Sequence, residues 1–254
     1  MKLRIAVPVL LVVVVYIAGC TPVDEREPQA AGQSAQSFEK EIKKTVRLNY
    51  LLYLPPGHQD AKAKWPLMLF LHGAGERGSD LEKVKVHGPP KLIAKEGKTF
   101  PFVIVSPQCP EDGWWPGELQ LDALDGLLDD VVSRYRIDKD RIYVTGLSMG
   151  GFGTWQLAFR YPGRFAALAP ICGRGDPKKV DRIKHVPVWV FHGAKDKTVP
   201  LKDSQEMVDA LKKAGADPKF TVYPDADHDS WTATYNDPAF YEWLLAQRRG
   251  ANQR

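Results

Sequence analysis

The chain has 254 residues, 44% of them hydrophobic and 26% charged, with a formal net charge of +4 at pH 7. That composition suits one globular domain with a sizeable core and an extra segment or two. Lys and Arg are scattered apart from helix-end pairs such as Lys212-Lys213 and Arg248-Arg249, which argues against a nucleic-acid binder.

Lys2 and Arg4 precede an apolar run from Ile5 to Ile17. The run is too short to span a bilayer and reads as a secretory leader. It closes on Ile17-Ala18-Gly19-Cys20, which resembles the lipobox of bacterial lipoproteins. The resemblance implies a leader over residues 1–19, lipid modification of Cys20 as the new N-terminus, and export to the bacterial cell envelope with attachment to a membrane. Thr21 to about Ser37 is rich in Pro, Ala, Gln, Ser and Glu and holds almost no large apolar side chain. Such a segment cannot offset its ordering entropy, so residues 20–37 are expected to be a flexible tether spanning on the order of 20 Å. The folded domain is expected over residues 38–254.

A first pair of strand signals lies in Thr45 to Leu54, ended by Pro55-Pro56-Gly57. Continuous apolar runs follow at Pro66–Leu71, Phe102–Val105, Ile142–Thr145, Phe165–Ala169, Val186–Phe191 and Lys219–Tyr223, as buried strands require. Between them, Leu124, Leu127, Leu128, Val131, Val132 and Tyr135 mark one face of a helix and Asp122, Asp125, Asp129 and Asp130 the other. A second helix is expected to start with Asp203 as its N-cap and stop at Gly215, and a last one to run from about Pro238 to Gln247. Strands alternating with helices predict an α/β domain, a mostly parallel sheet covered on both faces, with ligands bound at the carboxyl ends of the strands. Cys109 and Cys172 each follow an apolar run. In an exported chain a disulfide between them stays open, although strands separated by two others put their ends about 14 Å apart.

Gly146-Leu147-Ser148-Met149-Gly150 lies between the β-branched run Arg141–Thr145 and the helix-forming run Phe152–Ala158. Strand, sharp turn and helix form the context in which G-x-S-x-G presents a nucleophile. Gly146, Gly150 and Gly151 leave room around a strained turn. A serine needs a base and an acid to orient that base, expected here in the chain order Ser, Asp, His. His228 is the one histidine after both the elbow and an acid that follows a strand, namely Asp196. Asp225, Asp227 and Asp229 crowd His228 but sit too near in sequence to reach its far nitrogen. His72 and His192 each precede a glycine at the end of a buried strand, where a neutral imidazole satisfies backbone groups. An EF-hand reading of Asp225–Asp229 fails, because Ser230 stands sixth and Asn236 twelfth. No metal and no cofactor is expected.

The motif order Leu71-His72-Gly73-Ala74-Gly75-Glu76-Arg77-Gly78, Gly146–Gly151 and His192-Gly193-Ala194-Lys195-Asp196 resembles the α/β-hydrolase fold over the whole chain after the tether. Within it, the chain resembles carboxylesterases related to the dienelactone hydrolase and prolyl oligopeptidase groups. The resemblance implies a serine esterase with Ser148, Asp196 and His228 as its triad. Backbone N–H groups of Met149 and Ala74 would form the oxyanion hole. The short link from Cys172 to about His185 leaves no room for a cap domain, and Trp114, Trp115 and Trp231 are candidates to rim an open cleft for a bulky, polysaccharide-linked or small ester. Rival readings are a serine peptidase of the prolyl oligopeptidase type and a non-catalytic, lipid-anchored binding protein on the same fold.

Overall fold

The computed structural model describes residues 45–250 apart from 60, 61 and 63. The leader, Cys20 and the tether lie outside these residues, as does the start of the expected domain at 38–44.

Seven strands form one sheet: β1 (Tyr50–Tyr53), β2 (Trp65–Leu71), β3 (Val103–Pro107), β4 (Ile137–Leu147), β5 (Ala167–Ile171), β6 (Trp189–Gly193) and β7 (Lys219–Tyr223). Their order is β1-β3-β2-β4-β5-β6-β7. β1 pairs with β3 antiparallel and every other pairing is parallel. Alternation of side chains across the pleat builds two cores from one set of strands. Leu67, Leu69, Leu71, Val103, Val105 and Val144 pack under α2 (Glu118–Arg134), α3 (Met149–Arg160) and α4 (Leu201–Lys213). Met68, Phe70, Ile104, Tyr143 and Ile171 pack under α1 (Gly88–Glu96), α5 (Trp231–Asn236) and α6 (Pro238–Ala246). The domain has the α/β-hydrolase fold.

The structure differs from the sequence expectations at several ends. Among the described residues the first pair of strand signals yields the single strand β1. β4 begins at Ile137, ahead of the apolar run, because Ile137 is buried and pairs with Trp65; the more exposed Asp138–Arg141 fall within a register shift, after which Ile142 pairs with Leu67. α4 starts at Leu201 with Pro200 as its N-cap, so Asp203 is not the cap but an acid in the first turn, where its charge suits the helix dipole. Cys109 and Cys172 are both buried and both free. β3 and β5 are separated by β2 and β4, which keeps their ends apart.

The strand order reverses between β2 and β4. The chain leaves β2 toward one edge of the sheet and leaves β4 toward the other, which opens a crevice at their carboxyl ends. The loop after β2 and the turn after β4 face each other there.

Candidate active site

Ser148 stands alone between β4 and α3 with φ 51° and ψ −116°, a backbone conformation that costs an ordinary residue about 1–3 kcal/mol. It makes no side-chain cap bond to the helix it precedes, so its hydroxyl is left for other use. The turn is held by its own N–H, which donates to the Ile171 carbonyl at 3.0 Å. The bend brings backbones together so closely that glycine is required. A Cβ on Gly150 would lie 2.0 Å from the Leu71 carbonyl oxygen, and one on Gly146 would lie 2.6 Å from the Gly150 backbone.

His228 lies on the loop between β7 and α5. Its Nε2 accepts from the Ser148 hydroxyl at 3.0 Å, and its Nδ1–H donates to Asp196 Oδ2 at 2.8 Å. The loop reaches this position by lying on Gly193 at the end of β6, where a Cβ would be 2.0 Å from the Asp227 carbonyl oxygen. The Lys195 N–H donates to Ala226 O at 2.9 Å and fastens the loop from the other side. The imidazole is 23% exposed, and the Trp231 ring meets it edge-on at 5.2 Å.

Asp196 has a fully buried side chain. Burial alone would raise its pKa, but bonds from His228 and from the Val199 and Thr198 N–H groups outweigh that and hold the carboxyl below its ordinary value. The neighbouring aspartates do other work. Asp225 pairs with Lys195 at 2.8 Å in solvent, and Asp229 accepts from the backbone and hydroxyl of Thr232 in the first turn of α5. His192 is buried between Ser204 Oγ at 2.7 Å and Val199 O at 2.9 Å. His72 is buried between Gly73 O at 2.6 Å and the Cys109 N–H at 3.0 Å.

Ala74 and Met149 are the first residues of a 3-10 turn (Ala74–Glu76) and of α3 respectively. The N–H of a first helical residue has no acceptor inside its own helix, so both donors are free of their own elements. Arg77 ties the loop after β2 to the loop after β3, donating from Nε to Ala74 O at 3.0 Å and from Nη1 to Gly113 O at 3.2 Å.

Of the three tryptophans expected at the rim, the structure corrects one. Trp115 is completely buried, because Gly153 of α3 lets its Cβ approach and its indole N–H donates to His72 O at 3.1 Å. It belongs to the core beneath the loop after β2. Trp114, its neighbour, points outward at 43% exposure with its ring 5.7 Å from Phe152. Trp231 is 9% exposed and donates to His87 Nδ1 at 3.3 Å. The sequence reading gave no role to His87, whose ring meets that of Trp231 at 5.3 Å and whose Nε2 lies 3.9 Å from Glu76 Oε1. His87 lies outside the motifs, and only the fold brings it near Glu76 and Trp231. Among the described residues, the one group of three potential metal ligands is Cys172, Asp196 and His228, with ligand atoms within 4.8 Å of one another. Two of the three are already bonded to each other, and burial pushes the Cys172 thiol up to about 12.

Residues 115–242, about half of the chain and including Ser148, Asp196 and His228, match the model of the dienelactone hydrolase family. The poly(3-hydroxyoctanoate) depolymerase of Pseudomonas fluorescens is 28% identical over 170 residues, covering 57% of this chain and 55% of that protein. The poly(3-hydroxyalkanoate) depolymerase C of Paucimonas lemoignei is 35% identical over 124 residues, covering 44% and 28%. The crystal structure of a thermostable esterase superposes with a TM-score of 0.70 at 35% identity, covering 80% of this chain and 60% of that one. The chain spans about half or less of the length of the curated relatives it matches. Its elbow, its sheet and the span of the family match make it a member of the dienelactone hydrolase family.

Proposed function

We propose that the protein is a carboxylic ester hydrolase that works through an acyl-enzyme on Ser148. The observation that carries this reading is the continuous run of bonds from Ser148 Oγ to His228 Nε2 at 3.0 Å and from His228 Nδ1 to Asp196 at 2.8 Å. As Oγ attacks the ester carbonyl, its proton passes to Nε2, and Asp196, ionised and buried, stabilises the imidazolium and holds its tautomer. The carbonyl oxygen becomes an anion that the Ala74 and Met149 N–H groups receive, each worth about 3–4 kcal/mol. The proton then goes from Nε2 to the leaving alkoxide, releasing the alcohol. Water repeats the sequence on the acyl-serine and frees the acid.

The substrates are small esters or acyl groups linked to polymers such as polysaccharides. The short link between β5 and β6, with only the 3-10 turn Pro177–Arg182, supports an uncapped cleft, and two relatives are named for depolymerising polyesters. Trp114 and Trp231 flank the bound ester. The domain is exported and held at the cell envelope by a lipid on Cys20, with residues 20–37 as its tether.

A panel of esters varying in acyl length and alcohol, run beside peptide amides, tests the reaction, with a fluorophosphonate as label. Ester turnover and labelling are expected in the wild type and lost in Ser148→Ala with the fold intact. Labelling that survives the substitution would assign another nucleophile, preference for peptide amides would make the protein a peptidase, and no labelling at all would make it a binding protein. Metabolic labelling with palmitate, expected in the wild type and absent from Cys20→Ser, tests the anchor.

A further inference from the structure

We propose that His72 is the positioning residue that aims the Ala74 N–H into the cleft, an inference that rests on reading Ala74 as an oxyanion donor. The imidazole is completely buried at the end of β2, and each ring nitrogen has one hydrogen-bond partner, with Glu76 Oε2 a further 3.9 Å from Nδ1. The Cys109 N–H can only donate, so Nε2 accepts it at 3.0 Å and carries no proton. The proton is then on Nδ1, which donates to the Gly73 carbonyl at 2.6 Å. Burial favours this neutral form and pushes the pKa down to about 4.

The Gly73 carbonyl and the Ala74 N–H belong to the same peptide group. The bond is trans, so the two dipoles point in opposite directions across one rigid plane. Holding the carbonyl on the buried imidazole turns the N–H the opposite way, and Ala74, which carries it, is exposed. The plane sits against the elbow, since a Cβ on Gly73 would meet Leu147 Cδ1 at 2.9 Å. Its neighbours are fixed as well: Trp115 donates to His72 O at 3.1 Å and Arg77 to Ala74 O at 3.0 Å. A donor held this way needs no reorganisation when charge develops, which is the condition for stabilising a transition state more than a ground state.

The two halves of the imidazole's task can be separated by substitution. Asparagine places an amide N–H near the position of Nδ1 and keeps the bond to Gly73 O. Glutamine places an oxygen near Nε2 and keeps only the bond from Cys109. His72→Gln is expected to lower kcat by roughly tenfold to a hundredfold, with KM unchanged and the Ki of a trifluoromethyl ketone raised by the same factor, whereas His72→Asn stays within a few-fold of wild type. Ala74→Pro deletes the donor itself at a first-turn position that tolerates proline after an extended Gly73 (ψ −178°), and should lose at least as much as His72→Gln. Equal Ki values for the two His72 variants, or a loss confined to KM, overturn the role of His72. An Ala74→Pro variant with unchanged Ki instead overturns the assignment of Ala74, and the proposal with it. If neither His72 variant folds, nitrogen-15 histidine NMR of the wild type decides: the Nδ1–H tautomer is expected, and an Nε2–H tautomer overturns the proposal.

Discussion

Two strands of the sheet run into the same dipeptide, β2 into His72-Gly73 and β6 into His192-Gly193, and both imidazoles are wholly buried. The likeness stops there. His192 fastens the loop that carries Asp196, through Val199 O and Ser204, and its glycine exists because another loop's backbone lies on it at 2.0 Å. His72 ties the Gly73 peptide plane to the Cys109 N–H, and the close neighbours of its glycine are the ends of the Leu147 and Glu76 side chains, at 2.9 and 3.1 Å. The turn at β6 brings two distant loops into register, and the turn at β2 sets the direction of one dipole. A shared dipeptide therefore says that a strand ends in a tight, buried turn, and the segments packed above it decide what the turn is for.

The largest effect that would sharpen this contrast is expected at the β6 end. Asp196→Asn should lower kcat about 10⁴-fold on p-nitrophenyl acetate, since an amide favours the wrong tautomer of His228. A loss below tenfold would remove Asp196 from the reaction.

Gly193→Ala comes next. The carbonyl oxygen it would strike is backbone and cannot swing aside, so the loop bearing His228 must move. Urea unfolding should show a loss of about 3 kcal/mol, and kcat/KM should fall at least a hundredfold. Near-normal values for both would break the comparison.

Acid should then distinguish the two ends. His72 is held at about 4, first by burial and also by the nearby Arg77 charge, against the raising effect of its bond to Gly73. Its neutral form therefore adds stability that is complete above the unfolded value of 6.5 and drains away as pH falls toward 4, by up to about 3 kcal/mol. Asp196, held below 3.8, adds stability that is complete above 3.8 and is lost only as pH falls through its lower folded value. Denaturant midpoints measured across this range should show His72→Asn missing the slope between pH 6.5 and 4 and Asp196→Asn altered only below it. The same slope in His72→Asn as in wild type would show that the imidazole is not buried neutral.

The smallest effect is expected for Gly73→Ala. The side chains it meets can yield, so the cost should be about 1 kcal/mol with a few-fold change in kcat. A collapse like that of Gly193→Ala would show the two turns to be equivalent.

The strands β2 to β6 were legible because parallel strands buried on both faces read as unbroken apolar runs. The meeting of Ser148, Asp196 and His228 was legible because each follows a strand end, and a parallel sheet gathers those ends at one edge. Other features were not. Trp114 and Trp115 are adjacent and chemically alike, and only the glycine at 153 across the interface decides which turns inward. α5, with the sequence Trp231–Asn236, holds residues of modest helix propensity and is supported by Asp229 bonds to Thr232. α1 begins on Gly88-Pro89-Pro90, which reads as a turn although proline suits a first helical position. The proximity of Glu76, His87 and Trp231 depends on three separate segments meeting, which no local pattern encodes.

The brevity of the link between β5 and β6 has a kinetic consequence. On the acyl-enzyme mechanism proposed above, a link this short carries no cap to swing shut over the site, and the second half-reaction would draw its water from the bulk liquid in contact with the imidazole. Turnover should respond little to added viscogen, and an alcohol co-solvent should compete freely for the acyl group, giving transesterified product in proportion to its concentration.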